Sequence, residues 1–598
     1  MPSSKSFLRW SLVFFNTNRI WLVGLILIFT SCSRKPESLN SHLPRRIGIL
    51  LFENLSSDVS LDWLGSAAAG VLSSQLALPP SIVPVELGSM RDAASANLNE
   101  LVHGYFSVAG DEVRLTAQLR NPLTFQNGKL LTVSGKLSAG ALPLIDALAR
   151  QINPAAHAYE TKNEVAVREL FKGIAAPSQN DLMAHLELSL RADPAFGAAH
   201  LDKIKLLMAR GDSNGAEAAL AEAARHASSF TELERAQMGM MRASQGGSRA
   251  DRMEALSRFI AAVPGDVQAL DSLANLQVAA KKFPDAIKTY QTALKVAPAN
   301  ILLWNSLAYV QAFAGDSGGA LSSLEAYRKL APNDANVDDT SGEISFLFGR
   351  FGDAERHFVE ANRRDKALVN GQELYRAAVA AFLAGNSKSA AEHFQAHLTV
   401  LQNANDSLIP VRKAIWAYQT GDPSAVSQLQ SFAARKESPA EVASVAHSQL
   451  AIWLLDSDQR EKAREEVVKA AALAATPSSR NFAAVSGFLT GAKVPASEWR
   501  LRAERAAPAQ LALQRQVLGY ALLLSRQYDD AVPVWKAAYD DAGLDAMGEA
   551  KVLLAYAYRK SGRNTEAVEL TKTGVLPPKS LDPGLPSLLV PYYFTIRK

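Results

Sequence analysis

The sequence predicts a small α/β domain followed by an all-α solenoid of stacked helical hairpins. Two observations carry this. A 34-residue unit stands twice in tandem, at Val267–Asn300 and Ile301–Asp334, with matching residue types at its packing positions. Ahead of it, short apolar runs, one of them strictly alternating, mark the strands of a sheet. The length agrees, since 598 residues are too many for one hydrophobic core.

Composition narrows the classes. A content of 48% hydrophobic and 20% charged residues describes a globular chain, neither disordered nor polytopic. The formal net charge of +4 is nearly neutral for this length, and no Lys/Arg stripe with interleaved aromatics occurs. Nucleic acid is therefore not an expected partner. The only cysteine, Cys32, excludes intrachain disulfides and any multi-cysteine metal site.

That cysteine closes a targeting segment. Lys5, Arg9 and Arg19 precede the apolar run Ile20–Phe29, which is shorter than the roughly 20 residues a bilayer span needs. It has the length of a signal-peptide core followed by small residues. Phe29-Thr30-Ser31-Cys32 resembles a bacterial lipobox, with Phe29 where that motif usually has Leu. The resemblance implies cleavage before Cys32 and its lipidation, which would hold the chain on a bacterial membrane, periplasmic side. The alternative is an uncleaved signal anchor over Phe7–Phe29, interrupted by Asn16, Asn18 and Arg19. Residues 33–45 are polar and proline-containing, a flexible tether.

Residues 46–155 form the first predicted domain. Ile47–Phe52 and Ser81–Leu87 read as strands, and Trp63–Leu76 has helical apolar spacing. Glu112–Leu119 alternates strictly, with Val113, Leu115, Ala117 and Leu119 on one face, and Gly110-Asp111 turns it back on Leu101–Val108. Leu130–Leu137 supplies a last strand and Leu142–Ile152 a closing helix. This order places helices over one sheet.

Two segments of this domain, RIGILLFENLSSDVSLDWLGSAAAGVLSSQL and HGYFSVAGDEVRLTAQLRNPLTFQNGKLL, resemble the domain at the amino terminus of TolB and related bacterial proteins. The resemblance is confined to about this segment, and the β-propeller of TolB does not follow. It implies a non-catalytic interaction domain.

The tandem units place Leu270, Leu273, Ala274, Ala286, Tyr290, Ala293 and Pro298 against Trp304, Leu307, Ala308, Ala320, Leu324, Tyr327 and Pro332. Small residues at positions 8, 20 and 27 let two helices approach, large ones at 4, 7 and 24 reach the next hairpin, and proline ends the second helix. Tyr327 departs from the small set. The period and positions are similar to tetratricopeptide repeats. Outward at the same period the array covers residues 163–576, with drifted pairs at Arg412–Glu437 and Asn481–Ala507. The tail, residues 577–598, is proline-rich yet apolar at Leu588–Phe594. Packing back as a cap is the expectation, with a partner-binding peptide as the alternative.

Strings that suggest chemistry have simpler readings. Gly315-Asp316-Ser317-Gly318-Gly319 matches the surroundings of a trypsin-like nucleophile, but it falls where the hairpin turn requires Gly and polar residues. His393 and His397 share a helix face, yet the second is at a packing position and no Glu follows the first. Walker and nucleophile-elbow motifs are missing, so no enzyme, metal or cofactor is expected.

The concave face is the expected partner site. Resemblance to tetratricopeptide proteins assigns Asp271, Asn275, Asn305, Tyr309, Asp339, Glu343 and Tyr375 to its lining. The Lys/Asn/Arg carboxylate clamp of chaperone-binding relatives is missing there, and acidic, amide and tyrosine side chains suit a polar or basic extended peptide. The expected function is a membrane-anchored scaffold or adaptor of the bacterial envelope. The alternative is a sensor subunit whose α/β domain binds a small ligand or glycan.

Overall fold

The computed structural model describes residues 45–597 except 57, 79–80, 94–97 and 492–507. The expected signal segment, Cys32, nearly all of the tether and the end of the pair at 481–507 lie outside the described residues.

The first region holds β1 (Arg45–Leu50), β2 (Glu53–Asn54), α1 (Asp62–Leu76), β3 (Ile82–Leu87), α2 (Met90–Ala93), β4 (Glu100–Ala109), β5 (Glu112–Arg120), β6 (Asn127–Lys136) and α3 (Leu142–Ile152). The sheet runs β3-β1-β4-β5-β6, with β2 added alongside β4. β1 is parallel to both β3 and β4, and β4-β5-β6 is an antiparallel meander. The alternation in β5 puts Val113, Leu115 and Ala117 into one core with α1, α3 and Phe106. The expected strand Ile47–Phe52 stops two residues early. Phe52 turns inward, where Gly104 leaves room for its ring, and its N–H donates to the Gly65 carbonyl, while Leu51 faces outward.

The helical array begins against this core without a break. Phe171, from Glu164–Ile174, lies where a Cβ on Gly70 of α1 would stand, and Leu186, Phe196, Ala199 and Leu206 join the sheet domain's core. In the connecting segment Tyr159 is buried edge-on to Phe196, with ring centroids 5.9 Å apart. Arg46 of β1 donates to the Gly265 carbonyl at 2.9 Å, which ties the sheet to the third hairpin.

From residue 164 paired antiparallel helices follow one another, in the regular part as Val267–Ala279 with Phe283–Val296, Ile301–Phe313 with Ser317–Leu330, and Ala335–Leu347 with Phe351–Arg364. Each first helix opens on an acid or amide cap: Asp266, Asn300 and Asp334 accept from backbone N–H groups of the first turn. Ala274, Ala286, Ala293, Ala308 and Ala320 are fully buried at the small positions. Tyr327 is buried at its small position, and its hydroxyl donates to Asp334 at 2.6 Å. The drifted pair at Arg412–Glu437 is a shortened hairpin of 11 and 9 residues, Ile409–Gln419 and Ala425–Ala433. In GDSGG, Gly315 takes φ +84° and Asp316 caps the following helix through the Gly319 N–H at 2.8 Å. The string is a turn and a helix start.

Past Asn564–Thr571 the chain runs as an extended segment into a short 3-10 turn, Leu585–Leu588, and a last helix, Leu589–Arg597. Leu581, Ser587, Leu588, Val590 and Tyr592 are buried, so the tail folds back. It does so against the middle of the array: Ser587 lies between Gln449 and Trp453, the Tyr592 hydroxyl donates to Asp456 at 2.9 Å, and Tyr593 packs on Phe346.

Candidate partner-binding groove

The predicted lining residues divide into two sets. In Val267–Ala279, Asp271 is half-buried and Asn275 exposed, and Asn275 accepts from the Tyr290 hydroxyl at 3.1 Å. Burial raises the Asp271 carboxyl, and hydrogen bonds from Tyr290 and Asn275 oppose the rise. In Ile301–Phe313, Asn305 is half-buried and accepts from Thr340 at 2.8 Å. These three residues keep part of their surface open to solvent.

The remaining four belong to a ladder linking neighbouring hairpins. The Tyr309 hydroxyl donates to Glu343 at 2.7 Å. Arg376 donates to both oxygens of Asp339, at 2.7 and 3.0 Å, and stands 3.1 Å from Glu343. Tyr375, fully buried, donates to Gln419 at 2.8 Å. Asp339 and Glu343 are buried as well, so in this conformation they brace Ala335–Leu347 against Gln372–Leu383. Burial drives the Tyr309 phenol well above its ordinary range, and the charges of Glu343 and Asp339 add to it. Tyr309 is therefore a neutral donor at any ordinary pH.

Sequence reasoning missed Arg376 and Glu373. Both lie in the first helix of the unit at Gly371–Ala404, and a charged pair in the run QELYRAAVAAFL was the available signal. Glu373 is fully buried, and neither oxygen has a partner outside its own residue among the described residues. Burial lifts its carboxyl to about 7, aided by the Asp339 charge and opposed by Arg376. Asp339 and Glu343 thus share one guanidinium, and the Glu373 carboxyl is buried within electrostatic range of it.

The chain's own tail packs against the middle of the array. Between Phe346, Val379 and Leu383 on one side and Val552, Leu589 and Tyr593 on the other lies a mainly apolar cavity of about 150 Å³. The tail and Leu544–Lys560 form its second wall.

The two histidines do not converge on a common ligand. His393 pairs with Glu355 of the preceding hairpin at 2.9 Å, and His397 bonds the Gly371 carbonyl at 3.0 Å. No group of three or more His, Cys, Asp or Glu among the described residues could hold a metal ion. Among those residues no helix is long and apolar enough to cross a membrane.

No protein-family model matches the chain. No curated protein matches it either. Among solved structures it is similar to a tetratricopeptide repeat protein from Parabacteroides merdae, at 16% identity over 44% of this chain and 99% of that one, with a TM-score of 0.29. It is also similar to MamA from Desulfovibrio magneticus, at 17% identity over 30% of this chain and 98% of that one, with a TM-score of 0.26. The α/β region followed by an α-solenoid is shown by the chain's own element order and strand pairing.

Proposed function

We propose that the chain is a scaffold of the bacterial envelope, held to a membrane through lipidated Cys32, which binds a polar or basic peptide along the open part of its concave face. The carrying observation is the division of the groove. Asp271, Asn275 and Asn305 keep exposed or half-buried surface with amide and carboxylate groups to offer, whereas Asp339, Glu343 and Tyr375 are consumed internally. Paired helices that each bury one face on a neighbour leave a continuous surface suited to extended partners. The likeness of residues 46–155 to the TolB amino-terminal domain supports an interaction role for that region too. The lipobox-like Phe29-Thr30-Ser31-Cys32 supports the anchor.

A photo-crosslinking side chain at Asn275 in living cells tests the groove, with Leu321, exposed on a second helix, as the control position. The expectation is a discrete adduct from 275, missing from 321 and lost with Asp271→Lys. Equal adducts from both positions would refute the groove. Cys32→Ala tests the anchor, since it should leave unprocessed precursor. Unchanged processing would refute lipidation.

A further inference from the structure

The β5–β6 hairpin tip carries apolar side chains that the fold does not use. Leu123 is 81% exposed and Phe125 41%. The tip is nonetheless well built. Asn121 accepts from the N–H groups of Leu123 and Thr124 at 2.9 and 3.0 Å, and its carbonyl accepts from Phe125 at 2.8 Å. Phe125 is held at φ +53°, a left-handed conformation that is costly for a bulky residue. Burial of this residue is incomplete, so an aromatic ring is held there at a backbone cost with part of its surface in water. Strain of this kind is found where a side chain serves a contact.

Register shows where the tip lies. Ile47 of β1 pairs with Glu100, Leu101 with Arg120, and Arg120 with Asn127. The β5–β6 turn therefore sits at the end of the sheet where the chain enters at Arg45. Twelve residues, 33–44, separate the lipidation position from that entry, a span of at most roughly 40 Å. Any membrane that holds Cys32 is within reach of this end of the domain.

We propose that the β5–β6 tip is a membrane-contact element, with Leu123 and Phe125 entering the boundary between headgroups and acyl chains. Lys129, exposed on the same hairpin, supplies a positive charge for lipid phosphate. Paired signals of this kind, an anchor and a second apolar contact, fix a domain's orientation as well as its attachment. The proposal rests on the membrane tether proposed above.

The test uses the full chain in vesicles of phosphatidylethanolamine and phosphatidylglycerol, with an environment-sensitive dye on Leu123→Cys. Val59→Cys, 79% exposed at the other end of the sheet, is the control. The dye at 123 should shift to the blue and be quenched at least twofold more than that at 59 by spin labels on the acyl chains. Phe125→Gly, which relieves the positive φ, should leave the melting temperature unchanged or raised while reducing that quenching at least twofold. A dye at 123 as wet as at 59 in membrane-bound protein overturns the hairpin contact and leaves the anchor standing. Shielding of 123 that persists without vesicles overturns it in favour of a protein contact. Protein recovered wholly outside the membrane fraction overturns the tether and the contact together.

Discussion

Arg249 and Asp541 are 292 positions apart in the chain, and their side chains meet at 2.8 Å. Arg249 also donates to the Asp540 and Ala279 carbonyls, each at 3.1 Å, and Lys281 donates to the Ala542 carbonyl at 2.7 Å. Both cations stand at the carboxyl end of Tyr528–Asp541, where helical carbonyls lack partners and the dipole is negative. The third and fourth hairpins therefore cap a helix far along the array, and the solenoid closes on itself.

Removal of that cap should be measurable. Arg249→Ala is expected to cost about 1–2 kcal/mol in urea unfolding, because two carbonyls and a carboxylate lose a donor. Asp541→Asn should cost less than about 1 kcal/mol, since that carboxylate is half exposed and screened. The first loss should persist in high salt and the second should fade. An Arg249→Ala midpoint equal to wild type would show that the closure contributes nothing.

Glu373 gives the fold a pH dependence. Its carboxyl titrates near 7 in the folded chain against an ordinary 4.5, so between these values the native state holds a proton that the unfolded state has released. Stability from this group is complete below about 4.5, falls as pH rises to 7, and is flat above. The loss is on the order of 3 kcal/mol. Glu373→Gln should remove most of that slope and stabilise the protein at pH 8. Identical slopes for variant and wild type, in melts from pH 5 to 8, would assign the titration elsewhere.

The tail should behave as part of the core. The Ser587 hydroxyl accepts from Gln449 at 2.9 Å and Trp453 at 3.2 Å and donates to the Gly584 carbonyl at 2.7 Å, all buried. Ser587→Ala leaves those donors unmatched and should cost about 1–3 kcal/mol. Leu588→Ala, at a fully buried side chain, should cost about 2–5 kcal/mol. Both should also speed hydrogen exchange in Ala440–Asp456, where Gln449, Trp453 and Asp456 lie. Destabilisation without faster exchange there would mean that the tail folds independently of that helix.

Local pattern was legible in the sequence, and distant contact was not. The alternation Val113-Leu115-Ala117 and the alanines at 274, 286 and 293 name their own faces, because period and burial coincide within one element. GDSGG resolves to a turn for the same local reason. Nothing in a 34-residue period states what lies across a concave face. Asp339 and Tyr375 share the repeat position of Asp271 and Asn305, and Glu343 shares that of Asn275, yet Arg376 and Gln419 on later helices decide that they are internal. The closure by Arg249 and Lys281 is invisible for a similar reason, since a surface cation reads alike whether it meets water or a helix end.

The turn inside each hairpin supports a last prediction. Gly211, Gly315, Gly349, Gly385, Gly421 and Gly562 all take positive φ between the two helices of their hairpins. Arg526 stands at the equivalent turn between Pro508–Leu524 and Tyr528–Asp541, at φ +59°. A side chain with a Cβ costs about 1–2 kcal/mol in that conformation. Its ion pair with Asp458, 3.4 Å away and exposed on both sides, returns little of this. Arg526→Gly should therefore stabilise the chain by about 0.5–1 kcal/mol, after the greater freedom of glycine in the unfolded state is subtracted. Arg526→Ala, which keeps the Cβ, should give no gain, and Arg526→Asn should fall between the two. Thermal melts of the three variants separate backbone strain from the lost ion pair. If glycine and alanine shift the midpoint alike, the turn holds no strain at this position.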